Sequence, residues 1–434
     1  MFTKRYVKRL ISFMLLGVIS LSMLTGCGQN DADPWNSGSK IVKVACVGGI
    51  DAQYELLDKF TEETGIEVEL TEMGIDDLHT KVTSGFAAKN LDYDLIWSYA
   101  TTTAEWAEAG HLEDITERIT PELKEDLNPA SFDATVYKDR FYGLPRIASV
   151  NILWYNKDVL RQAGLDPEKP PTTWEELVSM AQQCNQNGNS GIVFSYGSPY
   201  GSTIQWELAQ YLCGGKLVDE NDNVVFNDES GVKAMNMLKE FFDLGIAEPS
   251  SLSNPGGWEQ QQAFIKGKTA FTICWANTYA HVGNPEISLM DIEDLGWTTI
   301  PTVDGNTASV SGSEGYVVSK YAKNKDNALK LLEFLASPES QKVLCADSMF
   351  PPVRLSLYDD PEMNEIIPAL AAFKEQAKSY SNRFAAPYGV EFTDALQSEV
   401  VNCLNGKKTV EQALNDAEEK CKEIVENYKE SSGA

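Results

Sequence analysis

The reactive side chains narrow the chemistry first. Seven cysteines follow residue 27 (Cys46, Cys184, Cys213, Cys274, Cys345, Cys403 and Cys421), and no two lie two or three positions apart. With three histidines in 434 residues, that spacing supplies no ligand set for a zinc or iron–sulfur centre. An odd count also leaves no complete disulfide framework, though one or two bridges stay open. Several thiols sit in apolar runs such as Val44-Ala45-Cys46-Val47, where a thiol packs as a small hydrophobe. No GxSxG, HExxH or GxxxxGK[ST] pattern occurs. The 64 Asp and Glu leave one catalytic arrangement open, the carboxylate pair of a glycoside hydrolase. Binding chemistry has more support, because nine Trp and 17 Tyr are available for stacking on flat apolar faces. Asp51, just after the first apolar run, can accept hydrogen bonds from hydroxyls. Trp97 and Tyr99 end a later run; Tyr99 is the better candidate for facing a ligand and Trp97 for the core. Tyr200, in Gly197-Ser198-Pro199-Tyr200-Gly201, and Trp206, at the start of the following helix, are even candidates for ligand or core.

Charge excludes one partner class. Against 64 acids stand 36 Lys and Arg, a net −28, so nucleic acid is not an expected partner. The charge is uneven, since Lys4, Arg5, Lys8 and Arg9 precede an apolar run to Leu24 and no acid occurs before Cys27. About fifteen apolar residues are too few to span a bilayer comfortably and fit a secretory leader. Its end, Leu24-Thr25-Gly26-Cys27, resembles the lipobox of bacterial lipoproteins. That resemblance implies a signal peptide over 1–26, cleavage before Cys27, and acylation of Cys27, firmer than a single-chain anchor. Residues 27–40 form a polar Gly, Pro, Asn and Ser tether, and the mature chain carries −32.

The candidate residues need elements to hold them. Short apolar runs over 41–47, 67–70 and 91–97 alternate with amphipathic segments over 52–64 and 76–88, which predicts a βαβαβ unit of the parallel α/β kind. In the first helix Tyr54, Leu57, Phe60 and Thr61 share a face, and Gly65 closes it. Parallel sheets present ligand sites at the carboxyl ends of their strands. A second unit begins after Gly143-Leu144-Pro145, with strands over 150–155, 192–195 and 269–275. Thr173 with Glu176 forms a capping box at a helix start. Asn156 is placed to cap a helix, and Gly267 to make a tight turn. From residue 324 the pattern is almost wholly helical.

The ordered set Gly143-Leu144-Pro145, Leu153-Trp154-Tyr155-Asn156-Lys157-Asp158, Thr172-Thr173-Trp174-Glu175-Glu176, Phe264-Ile265-Lys266-Gly267-Lys268-Thr269-Ala270-Phe271 and Asn405-Gly406-Lys407-Lys408-Thr409-Val410 resembles the extracellular solute-binding proteins of ABC importers. The similarity is to their sugar-binding, maltose-binding-protein-like class and covers about residues 40–430. It implies a two-lobed periplasmic-binding-protein-like α/β fold with a hinge and an inter-lobe ligand cleft. Lobe I would be 41–147 plus 298–336, and lobe II 148–297 plus 337–430. By the same resemblance Trp275 would stack on ligand, Gly312 and Glu314 would line the cleft, and Arg354 would lie on a cleft-facing loop. Arg146 and Ser149 fall at the first crossover, where Arg146 is as suited to a structural ion pair as to a ligand. Where the class has an aromatic ahead of Asn405, this chain has Phe392-Thr393-Asp394, so maltodextrin specificity is not carried over.

The implied function is a monomeric, lipid-anchored receptor on the outer face of a Gram-positive-type membrane. It would bind an oligosaccharide and deliver it to ABC permease subunits, with no cofactor, no metal and no catalysis. The alternatives are a non-sugar solute such as a polyamine, a secreted glycoside hydrolase, and a chemoreceptor accessory or adhesin using the same cleft.

Overall fold

The computed structural model describes residues 39–48 and 51–432, apart from the side chain of Tyr200; the expected leader 1–26 and Cys27 lie outside the described residues. The first apolar run forms β1 (Ile41–Cys46), and α1 (Ala52–Thr64) follows it to a left-handed Gly65. Helix α1 buries Gln53, Leu56, Leu57 and Phe60. Tyr54, expected on that face, is 42% exposed because the buried stripe passes through its neighbour Gln53, whose amide donates to the buried Tyr316 hydroxyl. Next come β2 (Glu67–Glu72), α2 (Ile75–Ala87), β3 (Leu95–Ser98) and α3 (Ala100–Glu108). Strand β1 pairs in parallel with both β2 and β3, giving the expected βαβαβ unit.

After β4 (Gly143–Ile147) the chain leaves this sheet, and β5 (Ile152–Asn156) starts a second one. The Asn156 side chain ends β5 by accepting from the backbone N–H groups of Asp158 and Val159. Helix α4 (Trp174–Cys184) opens on the Thr173/Glu176 capping box, so two of its orphan N-terminal donors are satisfied locally. Then follow β6 (Ser190–Val193), α5 (Pro199–Leu212), α6 (Glu229–Asp243) and α7 (Gly257–Phe264). Gly267, at φ 74°, reverses the chain into β7 (Thr269–Cys274), a backbone conformation a Cβ would strain. Helix α8 (Thr278–Val282), β8 (Leu295–Thr298), β9 (Glu314–Val318), α9 (Lys325–Leu335), α10 (Pro338–Ser348), α11 (Gly389–Leu404) and α12 (Val410–Ser432) complete the main elements.

The two sheets have the orders β2-β1-β3-β9-β4 and β8-β5-β7-β6. Each has its own apolar core, one containing Val44, Phe60, Phe86 and Trp97, the other Leu153, Trp174, Phe194 and Phe392. Two segments pack differently from the sequence expectation. Ile300, Val303, Ala308 and Val310 lie in the second core, so the chain returns to the first sheet after Val310 and not near 298. Helix α10 packs on α1 with Leu344 in the first core, so that lobe continues past 336. Neither boundary has a composition break; what decides each is the sheet face its apolar side chains cover. Residues 349–388, expected to be helical, form mostly short helical turns with extended links.

Three segments run side by side between the sheets. The Gly312 N–H donates to the Ser149 carbonyl at 2.9 Å, the Ser311 N–H to the Ser381 carbonyl at 3.0 Å, and the Ser309 hydroxyl to the Asn151 carbonyl at 2.9 Å. This ribbon forms the base on which the candidate site is built.

Candidate functional site

Trp275 follows the carboxyl end of β7, and its indole bridges two glycines. A Cβ on Gly257 would lie 2.8 Å from its Cδ1, and one on Gly312 would lie 2.3 Å from its Cη2. Both contacts are closer than carbon atoms pack, so the ring can lie there only because neither residue has a side chain. The indole remains partly exposed. Beside it is a small cavity of about 10 Å³, lined by Asn151, Ser195, Gln205 and Gln260 among others. That is room for about one water.

Two buried polar atoms belong to the adjoining ribbon. Ser149 Oγ and Asn151 Oδ1 have no hydrogen-bond partner among the described residues. A buried polar atom without a partner costs roughly 1–3 kcal/mol, which a hydroxyl-bearing ligand can recover. Ser149 is tied to the same ribbon, because its N–H donates to Ser313 Oγ at 3.1 Å.

One residue along, a second group assembles from three distant segments. Asp133 Oδ1 accepts from Ser311 Oγ at 3.0 Å, and its Oδ2 accepts from the Arg383 N–H at 3.4 Å. Glu207, on α5, accepts from the Phe384 N–H at 3.2 Å through Oε1, while its Oε2 has no partner among the described residues. Burial raises the Asp133 carboxyl to about 6, opposed by the Ser311 hydrogen bond. Burial raises Glu207 further, to about 8, against the pull of the nearby Arg383 charge. The Arg383 guanidinium lies over the Tyr99 ring, 5.1 Å from its centroid, a cation–π contact that fixes Tyr99 at the edge of this group. Thr101, at the start of α3, donates to the Phe384 carbonyl at 3.2 Å and joins the first lobe to the same segment.

A third group supports the base. Glu314 Oε2 accepts from Arg146 at 2.6 Å and from Trp97 Nε1 at 3.0 Å, and Arg146 also donates to Gln53 at 2.9 Å. Arg146 and Trp97 are therefore buried supports, with Arg146 in the ion pair foreseen as one of its two roles.

The sequence candidates thus fall into distinct places. Trp275, Gly312, Ser149 and Tyr99 lie along the ribbon and its flanks, with Glu314 beside them. Asp51 is exposed before α1, and no contact joins it to the others. Arg354 pairs with Asp126 at 2.7 Å, which also accepts from the Ser356 N–H and hydroxyl; that carboxylate holds the guanidinium in a structural ion pair. Trp206 is fully buried in the second core, edge-on to Phe226, because α5 turns it toward α11 and away from solvent. The Tyr200 side chain lies outside the described residues. Asp133, Glu207, Arg383 and Asn151 were not anticipated. They come from four unrelated stretches, and the only sequence signal was the Ser311-Gly312-Ser313 segment that Asp133 binds.

A larger cavity, about 440 Å³, lies beside the amino end of β3 between Lys43, Lys81, Asp92 and Tyr93. Of its charged residues, Lys43 and Asp92 are engaged in the Lys43–Asp92–Lys323 ion pairs, and it sits away from the carboxyl strand ends where such sheets bind ligands. None of the helices among the described residues is long and apolar enough to cross a membrane.

Residues 50–342 match the model of a family described as bacterial extracellular solute-binding protein. Over 431 residues the chain is 23% identical to the galactooligosaccharide-binding protein of Bacillus subtilis, covering 96% of this chain and 97% of that one. It is 25% identical over 400 residues to a probable amino-acid ABC transporter periplasmic-binding protein of Sinorhizobium fredii, covering 90% of each. Among solved structures, maltose-bound MalE3 of T. maritima superposes with a TM-score of 0.78 at 24% identity, over 88% of this chain and 99% of that one, and so shares the fold.

Proposed function

This chain belongs to the bacterial extracellular solute-binding protein family, and from that premise we propose that it captures an oligosaccharide between its lobes for delivery to an ABC permease. The observation that carries the reading is the Trp275 indole, seated between Gly257 and Gly312 beside the orphan polar atoms of Ser149 and Asn151. An aromatic face for a sugar ring and buried groups for its hydroxyls are what carbohydrate recognition requires. Asp133, Glu207, Arg383 and Tyr99 extend the site toward the first lobe. Relatives named for galactooligosaccharide and maltodextrin binding support this cargo class, while the relative named for amino-acid transport defines the competing one.

In this reading the three-stranded ribbon is the hinge. Lobe I comprises the first sheet with α9 and α10, and lobe II the second sheet with 299–310 and the C-terminal helices. Ligand shifts the lobes toward closure only by binding the closed form more tightly than the open one. Cys27 carries the lipid anchor, residues 28–40 are the tether, and the protein works as a monomer on the outer face of a Gram-positive-type membrane. Replacing Cys27 with Ser should release the protein into the medium; retention at the membrane would refute the anchor.

A thermal-shift screen of the soluble chain against malto- and galacto-oligosaccharides, with amino acids and putrescine as controls, tests the cargo. Stabilisation by an oligosaccharide that Trp275→Ala abolishes is expected. Stabilisation by an amino acid or a polyamine and by no sugar would refute the proposal.

A further inference from the structure

Among the described tryptophans Trp258 is the most exposed, with 44% of its surface open. It sits one residue after Gly257, whose missing side chain admits the Trp275 indole. Helix α7 runs back along β7, so its first turn lies at the same end of the second lobe as Trp275. The position is held firmly. The buried Gln261 amide, one turn further on, donates to Asn277 at 2.7 Å and to Thr278 at 2.9 Å, locking α7 to the start of α8. From α8 the His281 ring meets Trp258 edge-on, with 4.6 Å between centroids. Burial lowers the His281 imidazole to about 4, so the ring supporting the indole is uncharged at neutral pH.

Resting on the carbohydrate reading above, we propose that Trp258 is a second stacking surface at the outer lip of the cleft, which holds a ring of an oligosaccharide beyond the ring at Trp275. An exposed tryptophan is costly to leave in water, and immobilising it by packing removes the entropy a ligand would otherwise have to overcome. The flanking segments fit the role, since the Ser198 hydroxyl donates to the Pro255 carbonyl and the Gly197 N–H to the Asn254 carbonyl, joining the turns ahead of α5 and α7 into one lip. The surface therefore sets ligand length: short ligands end at Trp275, and longer ones reach Trp258.

The test is isothermal titration of the soluble chain and of its Trp258→Ala and Trp258→Phe variants with malto- and galacto-oligosaccharides of increasing length. Removing one stacking ring should weaken the longer ligands about tenfold, leave disaccharide binding unchanged, and be largely rescued by Phe. Trp258→Phe keeps a ring against His281 and should melt near the wild-type temperature, so its affinities report binding and not folding. An equal loss at every length, or no loss at any, overturns the inference; the second result, with impaired transport by whole cells, would assign Trp258 to permease contact instead. Wild-type protein that binds neither series overturns the cargo reading, and this inference with it.

Discussion

Glu207→Gln should make stability less sensitive to pH, and the structure gives the size of the change. The Glu207 side chain has no exposed surface, and its folded pKa of about 8 stands against an ordinary value of 4.5. Between those values the folded state holds a proton that the unfolded chain releases. The wild type therefore loses stability as pH rises through that window, by about 1.4 kcal/mol per unit. From pH 5 to pH 8 the loss amounts to about 3–4 kcal/mol once the curvature near each pKa is included. Gln has no proton to lose, and its Oε1 can still accept from the Phe384 N–H. Asp133 titrates in both proteins and largely cancels in the difference. Urea unfolding at pH 5, 6, 7 and 8, followed by tryptophan fluorescence, measures that difference directly. The variant should gain on the wild type steadily as pH rises. A pH-independent offset, or a gap that narrows with rising pH, would mean that Glu207 is ionised in the folded protein and that the assigned desolvation is wrong.

Gly312→Ala would place a Cβ 2.3 Å from Trp275, so the indole or the ribbon must move. Oligosaccharide affinity should fall and the chain should lose about 1–3 kcal/mol; a variant that melts and titrates as wild type would refute the contact. Arg354→Met breaks the ion pair to Asp126, partly open to water, so stability should drop by about 1 kcal/mol or less with ligand affinity unchanged; an affinity loss would return Arg354 to the ligand site. Among the described thiols, Cys213 is the least buried, so native protein treated with Ellman's reagent should label there first and the other six only on unfolding. Rapid labelling of Cys345 or Cys421 would contradict their packing.

Local features were legible because they depend on neighbours in the chain. The Thr173/Glu176 capping box, the Asn156 cap and the left-handed turn at Gly267 are short-range geometry, and the structure has all three. The family resemblance likewise rested on such architectural motifs. Candidates for the proposed site could be picked out only where they share a strand end or a glycine-rich segment, as Trp275 and Gly312 do. Arg354 and Arg146 could not be judged from sequence, because a guanidinium's role depends on which carboxylate lies opposite, here Asp126 and Glu314.

The sequence by itself determined the periodicities, caps and turns, the acidic composition, and the family to which the chain belongs, all properties of residue type and near-neighbour spacing. Tertiary structure alone decided that 299–310 packs with the second sheet and that α10 covers the first, since apolar side chains follow whichever face they can cover. It also decided that Asp133, Glu207 and Arg383 meet. Their separations of 74 and 176 residues leave no local trace, and only the folding of three segments onto one ribbon places two buried carboxyls beside one guanidinium. Their shifted pKa values follow from that burial, and burial is a property of the fold.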